Sequence, residues 1–272
     1  MTQRFEDILI VGCGNMAGAM LDGWLAARLD PARFTVVEPG DKRLPAGIER
    51  HRTIPASGRF DAILLGVKPQ MLGDIAAEVA SLAGEGTTVL SLLAGVELRT
   101  LAEYFPSAAQ VRVMPNLAVA LGKAPIALAE HGLDNAGRAA VIELMEPLGT
   151  PEWVDEAEFD LVTALTGSGP AFLYRFIDAL AVAAAGLGLQ REQAGRMALA
   201  MVEGAAALAA ASADEPGTLA DRVASPGGMT REGLNVLDAD DALVRLVTET
   251  LRAARDRGAE LAAQARKQGG EG

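Results

Sequence analysis

The hydrophobic and polar positions of this chain change rhythm once, near residue 155. Before that point come short, largely apolar segments of strand length, unbroken at 8–11 and punctuated by single polar residues or glycine at 34–37, 61–67, 88–92 and 110–114, with weaker ones at 126–129 and 152–154. Runs of this length are what strands buried on both faces require. Between them lie segments of helical period over 16–27, 70–83, 97–105 and about 135–146. Strand and helix in alternation predict a doubly wound parallel sheet. From Phe159 onward the runs give way to alanine-rich helical periodicity, with helices expected over 159–165, 170–187, 191–211, 216–223, 230–237 and 240–267. Faces so rich in small residues suit close helix–helix packing between subunits.

The first strand runs directly into Gly12-Cys13-Gly14-Asn15-Met16-Ala17. Gly12 and Gly14 allow a tight turn and a close backbone approach to a pyrophosphate, and Ala17 is the small residue where helix meets strand. The helix that follows aims its free N–H groups at that anion. The expected fold is therefore α/β, a Rossmann-like dinucleotide-binding domain over 1–157 followed by an all-α domain over 158–272. Glu38 stands 26 residues after Gly12, where an acidic residue bonds an adenosine ribose hydroxyl. Lys42 and Arg43 follow and can instead meet a 2′-phosphate, so NAD and NADP both stay open. The strand ends at Glu38, Lys68, Ala94 and Asn116 should share the carboxyl edge, where such sheets bind ligands.

Composition narrows the classes. With 272 residues, 50% hydrophobic and 22% charged, the chain has the makings of a folded core rather than disorder. Its net charge of −12, with lysine only at 42, 68, 123 and 267, argues against nucleic acid and anionic membranes. A single cysteine, Cys13, forms no internal disulfide and suits a reducing cytosol. Arg4, Glu6 and Asp7 do not make a leader pattern, and Asp178 and Glu203 interrupt the apolar helices, so a cytoplasmic location is expected. A frayed tail is expected at the closing Gly-Gly-Glu-Gly.

Conventional acid–base equipment is scarce. His51 and His131 are the only histidines, both in polar, turn-like segments. No Cys/His spacing suits zinc, and Ser168 follows no strand and has no histidine to activate it. Cys13 sits where a helix N-terminus lowers a thiol pKa. Two loops, Thr166-Gly167-Ser168-Gly169-Pro170 and Ser225-Pro226-Gly227-Gly228-Met229-Thr230, open helices with glycine and present N–H groups suited to a carboxylate or phosphate. What remains is hydride transfer, in which a cofactor supplies the chemistry and the protein positions and polarises.

Taken with Val67-Lys68-Pro69, Met114-Pro115-Asn116 and the two helical-half loops, the glycine fingerprint resembles the pyrroline-5-carboxylate reductase family over nearly the whole chain. The resemblance implies reduction of 1-pyrroline-5-carboxylate to proline by NADPH or NADH. It also implies an all-helical domain that dimerises by interleaving, an active site where the cofactor domain meets that dimer, and frequent assembly into decamers. By the same resemblance Gly12, Cys13, Gly14, Asn15, Met16 and Ala17 hold the pyrophosphate. Val67, Lys68, Pro69, Ala94 and Gly95 run beside the cofactor, and Asn116 lies toward the nicotinamide. Ser225, Gly228 and Met229 bind the substrate carboxylate, and the Thr230 hydroxyl bonds the ring nitrogen as the catalytic group.

The chain departs from the family pattern at four places. It has Leu117-Ala118 where Thr-Pro is usual, Phe172 where Tyr is common, Met229 where Thr or Ala is frequent, and Glu38 where many members carry a neutral or hydroxyl residue. The carboxylate at 38 should repel a 2′-phosphate. Two other readings bear comparison. A β-hydroxyacid dehydrogenase needs a lysine on a helix after its second glycine-rich loop, and none occurs between Lys123 and Lys267. A non-catalytic dinucleotide sensor would be expected to lose the second loop, and Ser225–Thr230 is intact.

Overall fold

A computed structural model describes residues 5–269; of the tail expected at the end of the chain, Gly269 closes the last helix and the rest lies outside the described residues. The strands are β1 (Ile8–Val11), β2 (Phe34–Val37), β3 (Glu49–His51), β4 (Ala62–Leu65), β5 (Thr88–Ser91), β6 (Ala109–Met114), β7 (Ala124–His131) and β8 (Gly149–Trp153). The helices are α1 (Asn15–Ala26), α2 (Leu72–Leu82), α3 (Leu98–Tyr104), α4 (Asn135–Met145), α5 (Phe159–Val162), α6 (Gly169–Gly186), α7 (Arg191–Ala211), α8 (Pro216–Val223), α9 (Met229–Asp238) and α10 (Ala242–Gly269). The strands form one sheet in the order β3-β2-β1-β4-β5-β6-β7-β8.

Parallel neighbours β2, β1, β4 and β5 pair without stagger: Val37 opposes Val11, Val11 opposes Leu65, and Leu65 opposes Ser91. Their carboxyl ends therefore form one straight edge. Two features depart from the pattern read in sequence. β3 is a three-residue edge strand of Glu, Arg and His with no apolar run to announce it, and it forms on the otherwise unpaired edge of β2. β7 runs antiparallel to β6. The link over 115–123 is too short for the crossover of about a dozen residues that a parallel pair needs.

Alternation within the continuous runs divides the core. Ile8, Ile10, Phe34, Val36, Ala62 and Leu64 face α1 and α4, whereas Leu9, Val11, Val37, Ile63 and Leu65 face α2 and α3. On the first side Trp24 of α1 is fully buried, stacks on Phe34 with ring centroids 5.4 Å apart, and donates Nε1–H to Leu144 O at 2.8 Å.

The chain divides into two compact units, Met1–Gly167 with Ala254–Gly272, and Ser168–Ala253. Packing changes later than composition does because Phe159 is buried in the first unit's core. The Arg112 guanidinium of β6 lies 3.9 Å above that ring and pairs with Glu156 at 3.2 Å. Glu156 Oε1 also accepts the Leu98 N–H at 2.6 Å, capping α3. Burial pulls the Arg112 pKa below its ordinary value, and the Glu156 carboxylate opposes that shift.

In the second unit α6 and α7 bury only three alanines, Ala181, Ala194 and Ala198. Leu173, Phe176, Val182, Met197, Leu199, Met201 and Leu208 are exposed. Among the described residues α7 alone is long and apolar enough to cross a membrane, despite Glu203, because its remaining residues are largely small and apolar.

Truncating Trp24 to Ala should lower unfolding free energy by about 3–5 kcal/mol, measured by denaturant titration. Trp24→Phe keeps the stacking and leaves Leu144 O unpaired, so its cost should be smaller, about 1–3 kcal/mol.

Candidate active site

The loop after β1 is built around a close approach. Gly12 has φ +86°, a conformation that disfavours side chains, and a β-carbon there would stand 2.7 Å from Val67 Cγ1. On the facing strand a β-carbon at Gly66 would stand 2.3 Å from Gly12 O and 2.8 Å from Ala17 Cβ. Helix α1 can therefore start directly above the strand ends. Its N-cap, Gly14, makes no side-chain cap, and the first turn holds no acidic residue. Gly14 and Asn15 are exposed, Met16 is half-buried and Ala17 is buried. An uncapped helix start with its N–H groups free and no acidic residue in its first turn fits the diphosphate of a dinucleotide.

Cys13 contradicts its expected chemistry. The thiol is 1% exposed, and burial raises its pKa, with Lys42 only partly opposing the rise. Desolvation of the thiolate leads the rise, and the carboxylates of Glu38 and Asp22 add to it. Lys42 Nζ donates to Cys13 O at 2.8 Å, so the ammonium group braces the loop, beside a groove of about 310 Å³ lined by Cys13, Gly18, Asp22 and Arg43.

Glu38 stands at the end of β2, its N–H donating to His51 O at 2.9 Å. Its Oε1 accepts the Gly40 N–H at 2.9 Å, which holds the carboxylate at the start of the loop. Arg50 donates to Glu38 O and to Gly40 O, and Arg52 pairs with Asp41 at 2.7 Å. Arg50 in β3 and Arg52 just after it were not singled out by the sequence reading because β3 itself carries no strand signal. Gly66 was legible in principle, since a glycine inside a strand run marks close backbone approach.

Val67 and Pro69 are half-buried and Lys68 is exposed, capping the turn Pro69–Met71 after β4. Ala94 is exposed and Gly95, φ +75°, is half-buried after β5. Asn116 follows β6 and is buried. Along with Gly12–Ala17 and Glu38, these residues lie on the carboxyl edge. His131 ends β7 at the opposite edge, beside a cavity of about 670 Å³ lined by Thr87, Gln110 and Asp134. His51 bonds Glu49 at 2.8 Å. Among the described residues no cluster of His, Cys, Asp or Glu is placed to hold a metal ion.

In the second unit, Ser225 O accepts the Gly228 N–H at 3.0 Å, closing a turn around Gly227. Gly228 is the N-cap of α9 and makes no side-chain cap. Met229 is 89% exposed, Ser225 is exposed, and Thr230 is half-buried in the first turn. The arrangement offers free N–H groups and a hydroxyl at one helix start.

Residues 156–261 match the family model for pyrroline-5-carboxylate reductase dimerisation, and residues 7–95 match the model described as NADP oxidoreductase coenzyme F420-dependent. The chain is 32% identical to the pyrroline-5-carboxylate reductase of Pseudomonas aeruginosa, covering 94% of this chain and 97% of that one. It is 34% identical to that of Synechocystis sp., covering 93% and 97%. A solved pyrroline-5-carboxylate reductase from Coxiella burnetii matches at 28% identity and a TM-score of 0.81, covering 95% of this chain and 99% of that one. The Plasmodium falciparum structure with NADP bound shares the fold at 22% identity and a TM-score of 0.77, covering 94% and 98%. Fold and glycine-rich loops together define a dinucleotide-dependent oxidoreductase. The chain belongs to the pyrroline-5-carboxylate reductase family.

A β-carbon at Gly14 meets only Gly66 O, at 3.8 Å. Gly14→Ala should therefore cost at most about 1 kcal/mol in stability while weakening NAD(P)H binding about tenfold. Calorimetric melting and fluorescence titration of the same sample check both.

Proposed function

We propose that this protein reduces 1-pyrroline-5-carboxylate to L-proline with NADPH or NADH, as a cytoplasmic homodimer. Membership of the family and the intact turn Ser225–Thr230, opening α9 without a side-chain cap, support this reading. When bound, the reduced nicotinamide supplies the hydride that the C=N carbon accepts. The free N–H groups at Gly14, Asn15, Met16 and Ala17 suit the diphosphate, and Glu38 the adenosine ribose. Cys13 contributes its backbone, while Val67, Lys68, Pro69, Ala94, Gly95 and Asn116 form the remaining edge. Ser225 and Met229 anchor the substrate carboxylate through hydroxyl and backbone donors, and Gly228, whose N–H closes the turn onto Ser225 O, holds them in place.

Thr230 donates its hydroxyl hydrogen bond to the lone pair of the ring nitrogen and so polarises the C=N bond, which makes its carbon the better hydride acceptor. A cyclic imine needs no strong side-chain base. Holding its carboxylate fixes the ring, and fixing the ring supplies most of what the reaction demands. Dimer formation follows from burial: a helical unit whose buried apolar side chains in α6 and α7 are three alanines must cover its exposed leucines and methionines elsewhere. The buried single thiol of Cys13 suits a reducing compartment.

The direct test mixes purified protein with the imine and follows NADPH or NADH absorbance; no imine-dependent oxidation with either dinucleotide refutes the reading. Thr230→Ala should lose about a hundredfold in kcat with unchanged dinucleotide affinity. A sensor would have no turnover to lose. Glu38→Ser should raise the ratio of kcat/KM for NADPH over NADH about tenfold, roughly 1.4 kcal/mol of repulsion removed. An unchanged ratio would show that the carboxylate does not face the 2′-position.

A further inference from the structure

Accounting for backbone groups near the end of β6 leaves one carbonyl with a distant partner. Thr163–Gly167 is wound as a π-helical turn, a rare form that concentrates at functional sites. Its hydroxyls bond back along the chain: Thr163 Oγ1 donates to Phe159 O at 2.7 Å and Thr166 Oγ1 to Val162 O at 2.9 Å. In a regular helix the Thr166 carbonyl would accept the N–H four residues on. That residue is Pro170, which has none. The N–H of Ala171 goes to Ser168 O at 3.0 Å. Thr166 O accepts instead from Asn116 Nδ2, at 2.9 Å. At the other end of the same amide, Oδ1 accepts the Ala118 N–H at 2.9 Å and caps the turn Leu117–Leu121. Asn116 is 7% exposed, and both ends of its side chain are engaged within the protein.

We propose that Asn116 is a positioning residue of the reaction: it supplies the donor that Pro170 lacks and fixes the turn Thr163–Gly167 at the carboxyl end of β6. From that turn the chain continues into Ser168-Gly169-Pro170. The kinetic part rests on the reductase reading above; the anchoring part rests on hydrogen bonding alone. This differs from a direct role against the nicotinamide, since the N–H and the oxygen engaged here both go to the protein's own backbone.

Asn116→Asp isolates the bond. It keeps the acceptor for Ala118 and sets a carboxylate oxygen against Thr166 O. Pro170→Ala returns an N–H to position 170, so the double variant tests compensation. Wild type and the three variants are compared by backbone hydrogen exchange without ligand, by the Kd for NADPH, and by steady-state kinetics. Asn116→Asp should speed exchange over 163–171 at least tenfold, leave β1 and β4 unchanged, and lower kcat at least tenfold. The Kd for NADPH should move less than twofold, and the double variant should recover at least threefold in kcat. A weakened Kd with unmoved exchange overturns the proposal and assigns Asn116 to the cofactor. A lowered melting temperature with kcat unmoved also overturns it, since the bond would then serve stability alone. If Asn116→Asp does not fold, Asn116→Ala, which removes the donor without repulsion, carries the same comparisons. A wild type that fails to reduce the imine refutes the activity reading, and the exchange result then decides the anchoring by itself.

Discussion

At the carboxyl edge of the sheet, β1, β4 and α1 meet so closely that a β-carbon on Gly66 would stand 2.3 Å from the Gly12 carbonyl oxygen. That approach sets where α1 begins. Because β1, β2, β4 and β5 pair without stagger, it also aligns the ends of four strands. The uncapped first turn of α1 then faces the edge with unsatisfied N–H groups. Backbone polar groups left without partners are costly when dehydrated, so an anion is their natural complement. The packing here rests on the absence of side chains at the two glycines.

The two units meet the hydrophobic demand differently. In the first, continuous apolar strands bury both faces, and helices on either side complete two cores. In the second, α6 and α7 bury only alanines and leave large apolar side chains exposed. A monomer rarely exposes so much apolar surface without a partner. The match of residues 156–261 to a dimerisation model accords with that surface. Apolar α7 satisfies the length and composition of a membrane span for the same reason, since a helix meant for a protein interface and one meant for lipid share a composition.

Polar groups in the first unit are used sparingly. Glu156 serves two donors, the Leu98 N–H and Arg112, and Arg112 also covers the face of Phe159. Lys42 holds the Cys13 carbonyl, while Arg50 and Arg52 hold the loop beyond Glu38. A site built from backbone donors needs such bracing, because the donors act only where the chain is held. A chain with two histidines can belong to a catalytic family for the same reason: reducing an imine asks for a positioned hydrogen bond rather than a strong base.

The sequence alone determined the elements. Apolar runs of strand length, the turn to alanine-rich helical period near residue 155, and the glycines after β1 each report a local requirement of burial or dihedral freedom. Such requirements are written in neighbouring residues, so seven of the eight strands and the long helices were legible. The tertiary structure decided what depends on distant partners. β3 exists only because β2 has a free edge, and β7 reverses because the link before it is short. The Cys13 pKa rises rather than falls because burial, invisible in a motif, outweighs the charge of Lys42. The partner of Asn116 lies fifty residues away, at a carbonyl left without a donor by a proline. Local sequence specifies what each segment must become, and only the fold specifies which unsatisfied groups will meet.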